Sequence, residues 1–329
     1  MMEKDTNTLT IRVGENGDYR SISEAVKAVP YRVPATILLG EGVFCEKVFL
    51  DKKNITLRGE GMDKTVISWA DGASQLLPDN TKRGTFRSQT LFLGGEHVRV
   101  LDLTVENTAG WGKDVGQALA VYADADEVIM ENVRLRSRQD TLFLAPLPTK
   151  EREPLGFLGP RMLTERKNTK QYYKNCEISG DVDFIFGGAD AVFDNCTIRV
   201  LDRKKKINGY IAAPSENLGK TGFVFRNCKV VGENKDMDNT VFLGRPWRPT
   251  GKAVFLNCVY DRSVHPLRFS EWRETECDES KAFFAEYNPK DTEGKEIDLA
   301  CKNKWVRMLT DVEATCINRL ADKVIEEIG

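Results

Sequence analysis

One phrase recurs along this chain and restricts its architecture more than any single residue does. It reads Val128-Ile129-Met130-Glu131-Asn132-Val133, Tyr172-Tyr173-Lys174-Asn175-Cys176-Glu177-Ile178, Val192-Phe193-Asp194-Asn195-Cys196-Thr197-Ile198, Phe223-Val224-Phe225-Arg226-Asn227-Cys228-Lys229-Val230 and Val254-Phe255-Leu256-Asn257-Cys258-Val259. The unit is an aromatic or aliphatic residue, a spacer, Asn, Cys, a spacer and an aliphatic residue. Its asparagines are separated by 43, 20, 32 and 30 residues. A coil of roughly 20 to 25 residues carrying insertions accounts for those steps. One such coil cannot bury its own apolar face, whereas stacked coils share a continuous core. The expected fold class is therefore all-β, a right-handed parallel β-helix filling residues 1–329 as a single domain.

The stacking has a consequence for the thiols. Cys176, Cys196, Cys228 and Cys258 share one phase, so they should form a small apolar ladder inside the coil with each preceding Asn at a bend. A metal cluster or a set of disulfides is the competing reading. Cys45, Cys277, Cys301 and Cys316 lie outside the phase, and the sequence assigns them no place.

The flanks differ from the repeats. Ser21-Ile22-Ser23-Glu24 followed by Ala25-Val26-Lys27-Ala28-Val29 and Pro30 is a capping-box pattern opening a short amphipathic helix that would close one end of the core. Between it and the repeats, β-branched runs such as Ala35-Thr36-Ile37-Leu38-Leu39 and Asn54-Ile55-Thr56-Leu57-Arg58 read as strands bounded by turn residues. Residues 145–168 break the pattern with Pro146, Pro148, Pro154 and Pro160 and are expected to form a loop inserted into one turn. Six Lys or Arg against three Glu over 148–170 leave that loop either a solvated surface element or a cleft wall that attracts a polyanion. A C-terminal segment, 298–329, reads as helical, at Asp298-Leu299-Ala300 and again from Leu309 to Ile325, with Asp311 as N-cap. It would pack along the outside of the coil or over its end. The run Arg203-Lys204-Lys205-Lys206 is most simply a solvated loop.

A net charge of −2 with 30% charged residues argues against a general nucleic-acid binder. No apolar stretch approaches the roughly 18 residues of a membrane span. Met1 to Asn7 contains no apolar signal-peptide core, so the chain is expected in the cytoplasm if that N-terminus is native, and outside the cell if a signal was removed.

Against this frame, Asp183 stands out in Gly180-Asp181-Val182-Asp183-Phe184-Ile185-Phe186-Gly187-Gly188. An ionised carboxylate cannot sit unpaired in a dry core, which leaves two readings: a cleft-facing acid held by a cation, or a strand-end Asp capping a turn. Gln117 and Gln139 are 22 residues apart, one coil, and Asp140 and Asp183 are 43 apart, one coil plus an insertion. Equivalent positions on stacked strands lie about 4.8 Å apart, so two amides and two carboxylates should share one patch. Two carboxylates about 5 Å apart repel by about 3 kcal/mol at an effective dielectric near 20, which keeps one protonated unless a cation intervenes. Arg245, locked by Pro246 and shielded by Trp247, is the candidate cation.

Five segments in this order resemble the signature segments of the pectin methylesterase family: Gly17-Asp18-Tyr19-Arg20, Gln117-Ala118-Leu119-Ala120, Gln139-Asp140-Thr141-Leu142-Phe143, Gly180 through Gly187, and Leu243-Gly244-Arg245-Pro246-Trp247. The resemblance implies a carboxylic ester hydrolase that removes methyl esters from galacturonate units of pectin or oligogalacturonides, without a metal or other cofactor. Position by position it implies Asp183 as nucleophile, Asp140 as general acid/base, Gln117 and Gln139 as oxyanion donors, and Arg245 as the anchor of the nucleophile. It also implies substrate contacts at Thr85, Tyr122, Phe143, Val182, Phe186 and Trp247, with Trp272 as a further wall. The partner expected is methyl-esterified homogalacturonan or its oligomers, with no nucleic acid and no membrane, bound by a monomer. Leu119 and Asp181 depart from the family pattern, Asp181 placing a third acid that either raises the pKa of the pair or faces solvent.

The rival chemistries lack their residues. There is no Gly-x-Ser-x-Gly, and His97 and His265 are the only histidines. Pectate lyases need a calcium-binding carboxylate cluster, and the segments that polygalacturonases share do not occur. A non-catalytic carbohydrate-binding relative, or one processing another acyl or thioester group, is the alternative function.

Overall fold

A computed structural model describes residues 8–215, 219, 221–272 and 281–329. The stretch Met1 to Asn7 and Cys277 lie outside the described residues. Strands Val48–Leu50, Leu91–Leu93, Val121–Ala123, Leu142–Leu144, Val182–Gly187, Gly209–Pro214 and Val241–Gly244 pair in parallel and in chain order, one per coil, as a seven-stranded sheet. Eighteen further strands pair, also in parallel, into a sheet that wraps the rest of the coil. This is the expected parallel β-helix.

The repeated phrase forms the bend in the wrapping sheet. Asn132, Asn175, Asn195, Asn227 and Asn257 all hold φ between 52° and 54°, the left-handed region that Asn tolerates better than most residues. Their amides stack between coils, with Asn195 Nδ2 donating to Asn175 Oδ1 at 2.7 Å and Asn288 Nδ2 to Asn257 Oδ1 at 2.9 Å. Asn288, at φ 50°, extends the series by one coil without a following Cys. Each bend turns the next residue inward, and Cys176, Cys196, Cys228 and Cys258 are accordingly buried free thiols donating to backbone carbonyls. Two residues before the Asn of each Asn-Cys pair a ring faces the core. Tyr173, Phe193, Phe225 and Phe255 stack at centroid spacings of 4.7, 4.5 and 4.3 Å with planes within 13°.

Helix α1, Ile22–Ala28, buries Ile22, Ala25 and Val26 against the first coils and closes that end. Ser21 caps it by accepting from the Glu24 amide. The rest of the expected box is supplied from elsewhere, because Glu46 accepts from the amides of Ile22 and Ser23. Helix α2, Asp311–Ile328, begins at Thr310, which forms a full capping box with Glu313, so the N-cap is Thr310 and not Asp311. Asp298 to Ala300 is not helical. The Asp298 side chain accepts from the Ala300 amide at 2.9 Å, a local turn that competes with helix formation. Ala314, Ala321, Val324 and Ile328 make one apolar face of α2. That face packs on Val192, Val224 and Val254 along the outside of the coil.

Candidate active site

The seven-stranded sheet carries the site on its outer face. Leu142 pairs with Ile185, so Asp140 and Asp183 hold equivalent places on consecutive coils, and the Asp140 amide donates to the Val182 carbonyl at 3.1 Å. Pairing with the next strand slips between Val182, opposite Tyr210, and Ile185, opposite Ala212. The extra residue is a β-bulge, which lets Phe184 and Ile185 both enter the core while Asp183 turns out to the cleft. Gly180 makes room for that inward Phe184, since a Cβ on it would lie 2.3 Å from the Phe184 Cβ. Asp183 and Asp140 both have positive φ, 50° and 65°.

The two acids line a cleft of about 290 Å³ together with Gln117, Gln139 and Arg245. The amide-bearing residues sit on adjacent coils, the Ala118 N–H donating to the Gln139 carbonyl at 3.1 Å. Arg245 grips Asp183 with both arms, Nε to Oδ1 at 2.9 Å and Nη2 to Oδ2 at 2.6 Å. Its guanidinium is held flat between two rings, 3.8 Å from the centre of Tyr210 and 4.2 Å from that of Trp272. Trp247 is therefore not the shield of Arg245. It lies edge-on to Phe186 at 5.6 Å and belongs to the cleft wall.

Burial lifts the carboxyl of Asp140 well above the ordinary carboxylate range, and the negative charge of Asp183 lifts it further. Burial also raises Asp183, but the charge and hydrogen bonds of Arg245 pull against it. Both carboxyls are raised, Asp140 the further, and Asp183 alone is gripped by a guanidinium. Asp181 does not face solvent. It is buried, receives its own Val182 amide at 2.8 Å, and pairs with Arg138 Nε at 3.0 Å, adding a minor push to Asp140.

Thr85, Phe186, Trp247 and Trp272 line the cleft as expected, whereas Tyr122 and Phe143 are fully buried beneath its floor and Val182 is buried beside it. The reason is coverage. Phe86 and Phe157 lie over the row formed by Tyr122, Phe143 and Phe186, with Phe86 4.9 Å from Phe143. Phe86, Arg152, Glu153, Phe157 and Arg248 line the cleft without having been singled out in the sequence, and Tyr210 stacks on the Arg245 that does. Tyr210 follows Val182 by one coil, so register could have found it, but the bulge hides the count. The inserted loop is a cleft wall, and much of its charge is spent on holding itself in place. Arg161 pairs with Asp124 at 2.7 Å, and Arg166 donates to the carbonyls of Met162 and Thr164.

The family model described as Pectinesterase matches residues 8–147 and 165–322. The chain belongs to the pectinesterase family. A probable pectinesterase/pectinesterase inhibitor of Arabidopsis thaliana is 34% identical over 79% of this chain and 42% of its own length, and pectinesterase 31 of the same plant is 30% identical over 84% and 81%. The chain thus spans less than half the length of some of the curated relatives it matches. A pectin methylesterase solved in complex with a hexasaccharide superposes with a TM-score of 0.73 at 26% identity, covering 94% of this chain and 95% of that one. The pectin methylesterase from Erwinia chrysanthemi gives 0.73 at 26% identity over 93% and 94%, and the carrot protein shares the fold at 0.76 and 24% over 95% and 92%. Segment 148–164 falls between the two matched stretches and supplies part of the cleft wall.

Proposed function

We propose that this pectinesterase-family chain hydrolyses the methyl esters of galacturonate units in pectin or its oligomers through a covalent intermediate on Asp183. An Asp183 oxygen attacks the ester carbonyl, and the resulting oxyanion is met by the side-chain amides of Gln117 and Gln139, which stay neutral and donate at every pH. Collapse of the tetrahedral species breaks the bond to methoxide, a poor leaving group. Asp140 gives it the proton that burial and Asp183 keep in place, and methanol departs. Asp140, now ionised, takes a proton from water. The hydroxyl adds to the acyl carbon, Asp183 leaves as carboxylate, and the proton on Asp140 is restored for the next turnover.

The observation that carries this reading is the asymmetry of the two buried acids: Asp183 is bound by both arms of Arg245, while Asp140 has a negative neighbour and, among the described residues, no ion pair. The solved relative with a hexasaccharide supports a saccharide chain as the substrate class. Thr85, Phe186, Trp247 and Trp272 would contact that chain, with Tyr122, Phe143 and Val182 supporting the floor. Methanol release from highly methyl-esterified pectin and from short methyl-esterified oligogalacturonides, measured for wild type and Asp183→Ala in EDTA, tests it. The reading requires release by the wild type that the mutant abolishes, and it fails if neither substrate yields methanol.

A further inference from the structure

Segment 148–164 is fastened to both sides of the cleft. On one side, Gly159 passes so close to Phe86 that a Cβ on it would lie 2.5 Å from the Phe86 carbonyl oxygen. On the other, Arg248 Nη2 donates to the Lys150 carbonyl and Arg152 Nη2 to the Trp247 carbonyl, both at 2.8 Å. The Arg152 guanidinium also lies 5.2 Å from the centre of the Trp272 ring. Between these ties the Glu151 carboxylate accepts the amides of Leu155 and Phe157 at 3.1 and 3.3 Å. That turn aims Phe157 inward.

Phe157 then spans the gap between the walls. Its ring is edge-on to Phe86 at 5.8 Å and to Trp247 at 6.4 Å, and it is only 7% exposed. Phe86 and Trp247 each reach Phe186 on the floor, at 6.2 and 5.6 Å. Four rings thus form a closed circuit in the lining of the cleft that holds the two acids. Past them Phe92, Tyr122 and Phe143 of the outward row are fully buried under other side chains, so a saccharide chain cannot stack on them. Trp111 is 58% exposed, with the Arg138 guanidinium 5.5 Å from the centre of its ring, and such an aromatic–cation pair suits a uronate.

We propose that segment 148–164 is a specificity element that ends the cleft on one side, so that the chain end of a short methyl-esterified oligogalacturonide, rather than the interior of a polymer, is the preferred substrate. This rests on the ester-hydrolase reading above. Phe157 is the residue that sets the limit, and Arg152, Arg248 and Glu151 position it.

The test maps which units lose their methyl group. A fully methyl-esterified galacturonate hexamer and high-mass methyl-esterified pectin are digested with wild type, with Phe157→Ala, and with a variant whose residues 149–163 are replaced by a short Gly-Ser link. Methanol is quantified, and the hexamer products are sequenced by mass spectrometry. Wild type should demethylate end units first, with kcat/KM per ester at least about 10-fold higher on the hexamer than on the polymer. Phe157→Ala should shrink that preference to within about 3-fold and spread demethylation to interior units. Equal attack by wild type on end and interior units, or on hexamer and polymer, overturns the proposal while ester hydrolysis stands. Methanol from neither substrate overturns the hydrolase reading itself. Should the linker variant fail to fold, the wild-type map and Phe157→Ala still decide.

Discussion

Asp140 and Asp183 hold equivalent places on consecutive coils, and both adopt the left-handed backbone that side chains other than Asn and Asp disfavour. The conformation turns each carboxyl out of the sheet's inward and outward alternation and toward the other. It also keeps two acids in a buried patch where burial and mutual repulsion oppose ionisation. Asp140→Asn removes the titrating group without changing shape. Methanol release should fall by at least about 1,000-fold, since neither methoxide nor water then has a proton partner. Thermal stability at pH 8 should rise or hold, because a carboxyl kept protonated at a cost is replaced by a neutral amide. Activity above about a tenth of wild type would remove Asp140 from the acid/base role.

The same electrostatics fixes the direction of pH dependence in stability. Burial raises Asp140, Asp181 and Asp183, and pushes Asp124 up to about 6 against the pull of Arg161. A carboxyl whose folded pKa is raised binds more protons in the folded chain than in the unfolded one, so its stabilising contribution is lost as pH rises through that window. Melting temperature should therefore climb as pH falls from 8 toward 5. Further acidification should reverse the trend, as groups held low begin to protonate, for example Asp202, whose bond to Lys204 holds it at about 2. A melting temperature that is flat or rising between pH 5 and pH 8 contradicts this account.

What was legible in the sequence is what repeats. Asn175, Asn195, Asn227 and Asn257 announce the bend because one backbone demand recurs on these successive coils, and the cysteines and stacked rings follow from its phase. Gln117, Gln139, Asp140, Asp183 and Arg245 were legible because coil spacing gathers them and the family segments contain them. Contacts made by unrepeated chain were not. Phe86 and Phe157 reach the cleft from loops whose spacing carries no period, which is why Tyr122 and Phe143 were expected to meet substrate and are covered instead. Tyr210 was hidden by the bulge at Asp183, and Asp298 to Ala300 looked helical but forms a turn.

The sandwich around Arg245 can be dissected by ring and by charge. Tyr210→Phe keeps the face 3.8 Å from the guanidinium and should leave methanol release within about twofold of wild type, whereas Tyr210→Leu loses a contact worth about 1–2 kcal/mol and should cost about 10-fold in kcat. Arg245→Lys loses the two-armed grip and both stacks. Without that grip the Asp183 pKa rises, so the acidic limb of kcat/KM should move to higher pH as the rate falls. An unmoved limb would mean that Arg245 serves structure and not the charge of Asp183.

The asparagine ladder makes a prediction that separates backbone from side chain. Asn195 has φ 52° and bonds through its Nδ2 to Asn175. Asn195→Ala keeps neither the tolerance for that φ nor the amide bond, and should destabilise by about 1–2 kcal/mol. Asn195→Gly loses the amide bond but accepts the φ, and should cost less than Ala despite the greater freedom glycine gives the unfolded chain. The comparison is read from urea denaturation with a common slope. If Gly proves worse than Ala, the bend does not depend on the left-handed backbone that Asn195 adopts.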